Sequence, residues 1–379
     1  MKKQFKSSLL KAVFLLSLTA LLASAANPAF ASQSAGVEEI VLQAIAPNDD
    51  FDSATNITSI PYRVTRNDFE ATEIGDDPTA TQCNLSPGLA TVWYKFSPSA
   101  NTMVHMDTLG SNYDTYMALW TGVRGNLTHV ACNDDASAST FTSAVNITLQ
   151  GGTTYYIQVA QFNGNTADAS QKSVSSAGVE AGTTHKFRLF RLYSKTYYSN
   201  GTHDGYVTES SENSSVGQAK NSTLTYIRLG DDAQRRQVMG IVSFNTAAIP
   251  DNGVVVSALI KIKRSAISAN AIFTTLNGLK VDIRKPYFGA SLGLAANDFQ
   301  AAASRQTVGT FNPNLAAGWY SAKLLNTSFA LVNKLGYTQF RIRFAKGDDD
   351  DSVSDYLRFY SGNAAQANKP ILIIKYYVP

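Results

Sequence analysis

The sequence predicts an all-β protein: two jelly-roll-like β-sandwich domains in tandem after a cleaved signal peptide. Short apolar/polar alternations recur along nearly the whole chain, between clusters of Gly, Asn, Asp, Ser and Thr. Segments with helical signals are few, which favours sandwiches over an α/β enzyme. Removing a leader of 31 residues leaves 348 of the 379, which fits two domains of about 100–200 residues each.

In the first half, six segments alternate with a period of two and are predicted as strands. They are Thr91–Phe96, Thr102–Thr108, Thr115–Trp120, Ala144–Leu149, Thr154–Phe162 and His185–Tyr193. In the first of these, Val92, Tyr94 and Phe96 are expected to share one face, opposite Trp93.

In the second half, seven further segments are predicted as strands. They are Thr225–Leu229, Val238–Phe244, Val254–Lys263, Leu279–Arg284, Thr338–Phe344, Tyr356–Tyr360 and Ile371–Val378. Phe340, Ile342 and Phe344 are expected to be buried. The intervening residues are expected to face water, and they are Gln339, Arg341 and Arg343.

Two segments carry helix signals. Asn297–Arg305 starts with a capping residue and a box-like Asn-x-x-Gln pattern. Thr327–Leu335 follows a capping side chain and stops at Gly336. The sequence therefore predicts two short helices among the strands.

The first 31 residues have the pattern of an export signal. A basic head of lysines precedes the uncharged apolar run Ala12–Ala26, which is too short for a membrane span of about 20 residues. Ala29-Phe30-Ala31 offers the small-x-small cleavage pattern, and a cut after Ala25 is the alternative. We therefore expect a secreted or cell-surface protein that begins near Ser32.

The charge balance gives no argument for nucleic acid. The leader holds four lysines and no acidic residue, so the mature chain has 28 basic and 29 acidic residues and a net charge of −1. Read along the chain, no Lys/Arg stripe with interleaved aromatic residues is present. We expect neither a nucleic-acid partner nor a membrane span.

Two cysteines, Cys83 and Cys132, occur in a chain expected to be exported. They are expected either to pair or to be two buried free thiols. A disulfide closing a loop of this length stabilises by roughly 4 kcal/mol in the chain-entropy model. A zinc site is not expected, since neither cysteine has a second ligand at zinc-finger spacing.

Acidic clusters at predicted strand ends are candidate calcium ligands, because calcium takes six to eight oxygens, often from several loops. In the first half these candidates are Asp49, Asp50, Asp107, Asp114, Asp134 and Asp135. In the second half they are Asp231, Asp232, Asp348, Asp350 and Asp355. The alternatives are Asx-turn chemistry and a solvated acidic loop, and no EF-hand spacing is present.

Sugar binding requires exposed aromatic faces with hydrogen-bonding groups beside them. The ligand-binding candidates are Tyr206, Tyr287, Trp319, Tyr320 and Tyr337, with Tyr197 and Tyr198 as further aromatic residues. The alternative for each is ordinary packing, because Tyr and Trp are favoured on half-buried sheet faces.

Five ordered motifs of the first half recur together in a known family. They are Pro47–Thr55, Thr91–Phe96, Tyr113–Gly122, Leu127–Asp135 and Thr153–Val159. Residues 45–194 thereby resemble the bacterial pre-peptidase C-terminal domain. The resemblance implies a jelly-roll β-sandwich, a role in attachment rather than catalysis, and a Cys83–Cys132 disulfide.

A second set of motifs occurs in the second half. They are His203–Ser210, Ile227–Asp232, Gly240–Thr246, Val281–Arg284, Asn297–Ser304 and Asp355–Gly362. Residues 200–379 thereby resemble the DNRLRE-type domain of secreted surface proteins. The resemblance implies a sandwich similar to carbohydrate-binding modules, and the boundary between the domains is placed near Ser194 to Gly201.

No residue set along the chain specifies a reaction. A His-x-x-x-His metal pair is absent. The leading hypothesis is a secreted, non-catalytic protein that binds an extracellular polymer, most of all a polysaccharide, with structural calcium as the one candidate cofactor. The alternatives are a surface adhesion protein that binds another protein, and a hydrolase whose paired carboxylates come from distant strands.

Overall fold

The computed structural model describes residues 46–67, 71, 77–83, 88–162, 184–268 and 271–379. The predicted signal peptide, residues 1–31, lies outside the described residues. Within the part described, no helix is long and apolar enough to span a membrane.

The described chain is an all-β protein, as predicted. The strands of its first half are β1 Thr55–Ile57, β2 Tyr62–Asn67, β3 Leu89–Phe96, β4 Thr102–Asp107, β5 Thr115–Val123, β6 Asn126–Asn133, β7 Ala144–Leu149, β8 Tyr155–Gln161 and β9 Thr184–Tyr198. The strands of its second half are β10 Gly205–Glu209, β11 Gly217–Asn221, β12 Tyr226–Gly230, β13 Val238–Asn245, β14 Val254–Ile267, β15 Leu279–Arg284, β16 Arg305–Thr310, β17 Trp319–Lys323, β18 Tyr337–Phe344, β19 Tyr356–Tyr360 and β20 Ile371–Tyr377. Every predicted strand is present, whereas β1, β2, β6, β10, β11, β16 and β17 were missed.

Helical structure is confined to short turns. A single α-helical turn, α1, spans Ile272–Thr275. The 3-10 helices are Phe51–Ser53, Ala296–Asp298, Asn326–Leu331 and Gln366–Asn368.

The prediction of a helix over Asn297–Arg305 is wrong. Only the 3-10 turn Ala296–Asp298 forms there. Arg341 Nη1 donates to the carbonyl oxygens of Asp298, Phe299 and Ala301 at 3.2, 2.9 and 2.8 Å. These carbonyl groups are therefore engaged by a side chain from β18 instead of by the backbone of a following helical turn.

The second predicted helix, Thr327–Leu335, is also shorter than expected. The 3-10 helix there ends at Leu331, and Val332 is extended. Ser328 Oγ donates to the Leu325 carbonyl at 2.6 Å, which favours the tight turn.

The first half packs two antiparallel-rich sheets around one core. One sheet has the order β1-β3-β8-β5-β6, and β2, β9, β4 and β7 form the other. Val92 and Tyr94 of β3 pack against Phe187 and Leu189 of β9 in this core, as the alternation of β3 predicts.

The outer side of the first sheet is buried as well. Trp93 is 0% exposed and packs with Phe51 and Trp120 in a second cluster. The Cys83–Cys132 disulfide, which the structure confirms, ties the covering segment to β6. Strand β3 is thus buried on both faces because a disulfide-anchored segment lies over it.

The second half has one larger core shared by two layers. One layer contains β16, β15, β18, β13, β10 and β11, and the other contains β12, β19, β14, β20 and β17. Among the strands of these two layers, β-pairing between one layer and the other is limited to Gly230 of β12 opposite Val238 of β13. Phe340, Ile342 and Phe344 lie in this core, as predicted.

The opposite face of β18 is not solvated as expected. Gln339 is 0% and Arg341 is 5% exposed. The segment between β15 and β16 covers this face and forms a separate apolar cluster that includes Phe288 and Phe299. Arg341 is neutralised there by the buried Asp282, at 3.2 Å.

Strand β9 belongs to both halves. Its residues up to Arg191 pair with β2 and β4, and residues from Leu192 onward pair with β20. His105 of β4 stacks on Tyr377 of β20 at 4.5 Å between ring centroids. The two halves have separate hydrophobic cores, but β9 connects their sheets through continuous backbone pairing. The domain division between residues 194 and 200 stays a prediction.

Candidate functional site

The acidic candidates of the first half do not converge on one point. Asp50 accepts two hydrogen bonds from Arg124, at 2.8 and 3.0 Å, and these lower the pKa of Asp50. Arg124 lies in the turn between β5 and β6. Asp114 and Asp134 lie at the opposite end of that hairpin, so the loop that contains Asp49 and Asp50 is far from them.

Asp107 is bound by two side chains of its own half. His105 Nε2 lies 2.9 Å from Asp107 Oδ2, and Arg188 Nη2 lies 2.6 Å from Asp107 Oδ1. Burial alone would raise the pKa of Asp107, but the hydrogen bond from His105 and the charge of Arg188 outweigh burial and lower it. This geometry supports an internal ion pair, not a calcium ligand.

Asp114, Asp134 and Asp135 form the acidic group of the first half. Burial, followed by the charges of Asp135 and Asp134, raises the pKa of Asp114 to about 7. Both polar atoms of the Asn133 side chain form hydrogen bonds within the protein. Its Oδ1 accepts from the Ala144 N–H at 2.8 Å, and its Nδ2 donates to the Asp135 carbonyl at 2.9 Å.

In the second half, Asp232 is paired and Asp231 is not. Arg236 binds Asp232 Oδ2 at 2.7 and 2.9 Å, and the pKa of Asp232 is lowered because this pairing outweighs burial. Asp231 lies beside Asp355, whose backbone N–H it accepts at 2.7 Å. Asp348 and Asp350 gather with Glu212, whereas Asp355 gathers with Asp349 and Asp351.

The aromatic candidates are scattered. Tyr320 is 2% exposed and Tyr197 is 8% exposed, and both lie in the second core, so neither ring offers a free face. Tyr337 is held by a hydrogen bond from Asn200 at 3.0 Å. Tyr287 is half-buried in the segment before β16.

Trp319 and Tyr206 lie near groups that the sequence analysis missed. Trp319 points outward from β17, because its neighbour Tyr320 points into the core. The ammonium groups of Lys261 and Lys263 lie 5.4 and 5.9 Å from the Trp319 ring centroid. Burial, then the nearby Tyr226, raises the pKa of Tyr206.

The outer surface of β12 and β19 holds an arginine between two tyrosines. The Arg358 guanidinium carbon lies 4.7 Å from the Tyr226 ring centroid and 4.6 Å from the Tyr356 ring centroid. Arg228 lies 5.4 Å from Tyr356. Arg358 forms no ion pair with any described residue.

These side chains share one face of the layer that contains β12, β19, β14, β20 and β17. Their alternate neighbours, such as Leu357 and Ile262, lie in the core. We call this surface the basic face, and its members are Arg228, Lys261, Lys263, Lys323, Arg358 and Lys375 with Tyr226, Trp319, Tyr356 and Tyr360. The five strands contain no Asp or Glu at all.

No Lys/Arg stripe with aromatic residues is present along the sequence, and the basic face exists only in the folded structure. The stripe is assembled across strands that are distant in sequence, with Tyr226 opposite Tyr360 and Arg228 opposite Arg358. The available signal was a set of strands whose charged residues are all basic.

The histidines contribute structure. His185 is 0% exposed, and its two ring nitrogens lie 2.9 and 2.8 Å from the hydroxyl groups of Tyr94 and Tyr113. Burial, then the charge of Arg66, lowers the pKa of His185 to about 3. This imidazole stays neutral and is sealed from solvent, which does not suit a general base at neutral pH.

Comparison with known proteins adds little. No protein-family model matches the chain, and no curated protein matches it. Tripeptidyl peptidase 2 is 8% identical with a TM-score of 0.17, and the alignment covers 86% of this chain and 24% of that one. A protein from Parabacteroides distasonis is 6% identical with a TM-score of 0.16, covering 83% and 89%. Both TM-scores are too low to carry an argument.

Proposed function

We propose that this protein is a secreted, non-catalytic binding protein that attaches to an anionic extracellular polysaccharide through the basic face. The observation that carries the proposal is a β-layer with outward lysines, arginines and aromatic rings and no acidic residue in its strands. A protein with a mature net charge of −1 has concentrated positive charge on one surface.

The chemistry of the basic face matches acidic sugars. Aromatic rings pack against the apolar faces of pyranose rings, while guanidinium groups bind carboxylates or sulfates in a bidentate manner. Tyr226 and Tyr356 hold the Arg358 guanidinium from two sides, which reduces the side-chain entropy lost on binding. Lys261 and Lys263 extend the positive surface beside Trp319.

A repeating polymer suits a flat surface of this kind. Each sugar–protein contact is modest, but neighbouring repeats are held at high effective concentration once one repeat is bound. A polymer of negative charge is preferred over a neutral one because Arg358 has no acidic partner among the described residues.

The test is a titration of the mature chain with polyuronate fragments, compared with a neutral β-glucan. Arg358→Gln is expected to weaken polyuronate binding about tenfold, equivalent to about 1.4 kcal/mol. Arg305→Gln is the matched control, since Arg305 is an exposed arginine on β16 in the opposite layer.

Equal losses in the two variants would overturn the proposal, as would equal affinity for the neutral glucan. Single-stranded DNA serves as a polyanion without pyranose rings. If it binds as tightly as the polyuronate, the basic face is a general anion surface and the polysaccharide assignment fails.

A further inference from the structure

The acidic residues of the loop between β18 and β19 form two groups, and successive residues of the run Asp348–Asp351 belong alternately to one group and the other. Asp349 and Asp351 gather with Asp355, and one oxygen from each lies within 4.8 Å of the others. Their alternate neighbours, Asp348 and Asp350, gather with Glu212 instead. The backbone supports this sorting, since Asp350 adopts a φ of 69° in the left-handed region.

The two groups differ in how their charge is compensated. Arg235 pairs with Glu212 and lies 3.4 Å from Asp350, so the first group contains its own cation. Among the described residues, no Lys or Arg side chain pairs with a carboxylate of the second group. Three carboxylates at this spacing repel one another unless a cation or protons lie between them.

A buried carboxylate lies beside the second group. Asp231 is 1% exposed, and its Oδ1 accepts the Asp355 N–H at 2.7 Å. Its Oδ2 is buried and has no hydrogen-bond partner in the described structure. Leaving such an oxygen unsatisfied costs free energy that a bound cation would recover. One oxygen of Asp349 is likewise buried without a partner.

We propose that Asp231, Asp349, Asp351 and Asp355 bind one hard divalent cation of calcium's class. Calcium–oxygen distances are about 2.3–2.6 Å, so oxygens on opposite sides of the ion are about 5 Å apart, which matches the spacing of Asp349, Asp351 and Asp355. Backbone carbonyls and water complete the six to eight oxygen ligands that calcium takes. This ligand set keeps Asp231 and Asp355 of the sequence-based candidates and replaces Asp348 and Asp350 with Asp349 and Asp351.

The site lies beside the basic face. Arg228 Nη2 donates to the Asp231 carbonyl at 2.6 Å and also to Ser354 Oγ. A cation that fixes Asp231 and the loop would therefore also fix the position of Arg228. This consequence rests on the proposed function, whereas cation binding itself does not.

The experiment is a calcium titration of the chelator-treated mature chain by calorimetry, with no polysaccharide present. Asp349→Asn and Asp231→Asn are each expected to weaken calcium binding at least tenfold. Asp350→Asn is the matched control in the same loop, with the same loss of charge. It should stay within about threefold of the unmodified protein, because Asp350 is outside the ligand set and Arg235 compensates its charge. Asp134→Asn controls for the acidic group of the first half.

The site is overturned if the unmodified chain shows no saturable calcium binding, or if Asp350→Asn or Asp134→Asn costs as much as Asp349→Asn. Thermal melting without calcium checks that each variant folds. Asp349→Asn keeps the test valid if Asp231→Asn does not fold, because Asp349 is only half-buried. Failure of this titration leaves the polysaccharide proposal standing, since no polymer takes part.

Discussion

The two halves of the molecule treat their charges differently. In the first half, Asp50 is bound by Arg124, and Asp107 lies between His105 and Arg188. In the second half, Arg358 on the basic face and Asp231 beneath the acidic loop have no oppositely charged side-chain partner among the described residues. The first half also keeps an acidic group without an ion-pair partner among the described residues, Asp114 with Asp134 and Asp135, so what distinguishes the second half is its unpaired arginine on the basic face.

The halves also differ in covalent support. The first half is closed by the Cys83–Cys132 disulfide, whereas the second half contains no cysteine. The larger core of the second half, which takes side chains from both layers, provides its stability instead. In the proposed function, the second half carries the binding surface and the first half does not.

The largest expected effect is removal of the disulfide. Replacing Cys83 and Cys132 by Ser should destabilise the first half by roughly 4 kcal/mol, because a loop spanning 49 residues is released in the unfolded state. Denaturant unfolding followed by Trp93 and Trp120 fluorescence measures this loss, with Trp319→Phe removing the signal of the second half.

Polyuronate binding should be unchanged without denaturant when Cys83 and Cys132 are replaced by Ser and Trp319 is kept. A loss of affinity comparable to the loss of stability would show that the first half takes part in the binding surface. It would contradict the proposal that only the second half binds the polymer.

The shared strand β9 gives the next effect. A fragment of residues 200–379 lacks the part of β9 that pairs with β20 and places Tyr197 in the second core. We expect it to be less stable than a fragment of residues 184–379 by about 3 kcal/mol, the cost of losing a buried aromatic side chain. Equal melting temperatures would instead support two independent domains divided at residue 200.

Acid should act with opposite sign at two buried groups, His185 and Asp204. The pKa of His185 is lowered from 6.5 to about 3 in the folded protein. The contribution of the neutral His185 to folding stability is therefore fully present above pH 6.5 and is lost as the pH falls below that value. The loss is at most about 1.4 kcal/mol per pH unit for one proton. Thermal unfolding of His185→Gln between pH 6.5 and 4.5 should show a shallower pH dependence than the unmodified protein.

The second half provides the contrast at Asp204. Burial raises the pKa of Asp204 to about 6, so ionisation of this carboxyl destabilises the fold as the pH rises through the range from 3.8 to 6. If the melting temperature of His185→Gln falls with pH as steeply as that of the unmodified protein, then His185 is not the group that destabilises the fold in acid.

The smallest expected effect is that of chelation on polymer binding. If the cation positions Arg228 through Asp231, removing calcium should weaken polyuronate binding about threefold, close to 0.7 kcal/mol. Asp349→Asn should abolish this response to chelator, and Asp350→Asn should keep it. A response that both variants lose equally would contradict the coupling.

Alternation along the chain predicted most of the described strands but missed β1, β2, β6, β10, β11, β16 and β17. Ala144–Leu149, Leu279–Arg284 and Tyr356–Tyr360 match the observed bounds because one side of each is buried. The helix signals failed where a tertiary contact competed, since Arg341 takes the carbonyl groups that a helix over Asn297–Arg305 would need.

The candidate site was predicted less well, for a physical reason. Tyr226 and Arg358 are far apart in sequence and become neighbours only through the pairing of β12 with β19. The acidic run was recognised, but the division of Asp348 and Asp350 from Asp349 and Asp351 depends on where Arg235 and Asp231 lie. Sequence alone carries no information on that placement.

The central claim is that the basic face, and not the first half, binds an anionic polysaccharide. Lysine acetylation rates, measured residue by residue by mass spectrometry with and without polyuronate, test it most directly. We predict that Lys261, Lys263 and Lys375 become several-fold slower to react while Lys95 and Lys280 do not change. Protection of Lys95, or equal protection of all lysines, would contradict the account.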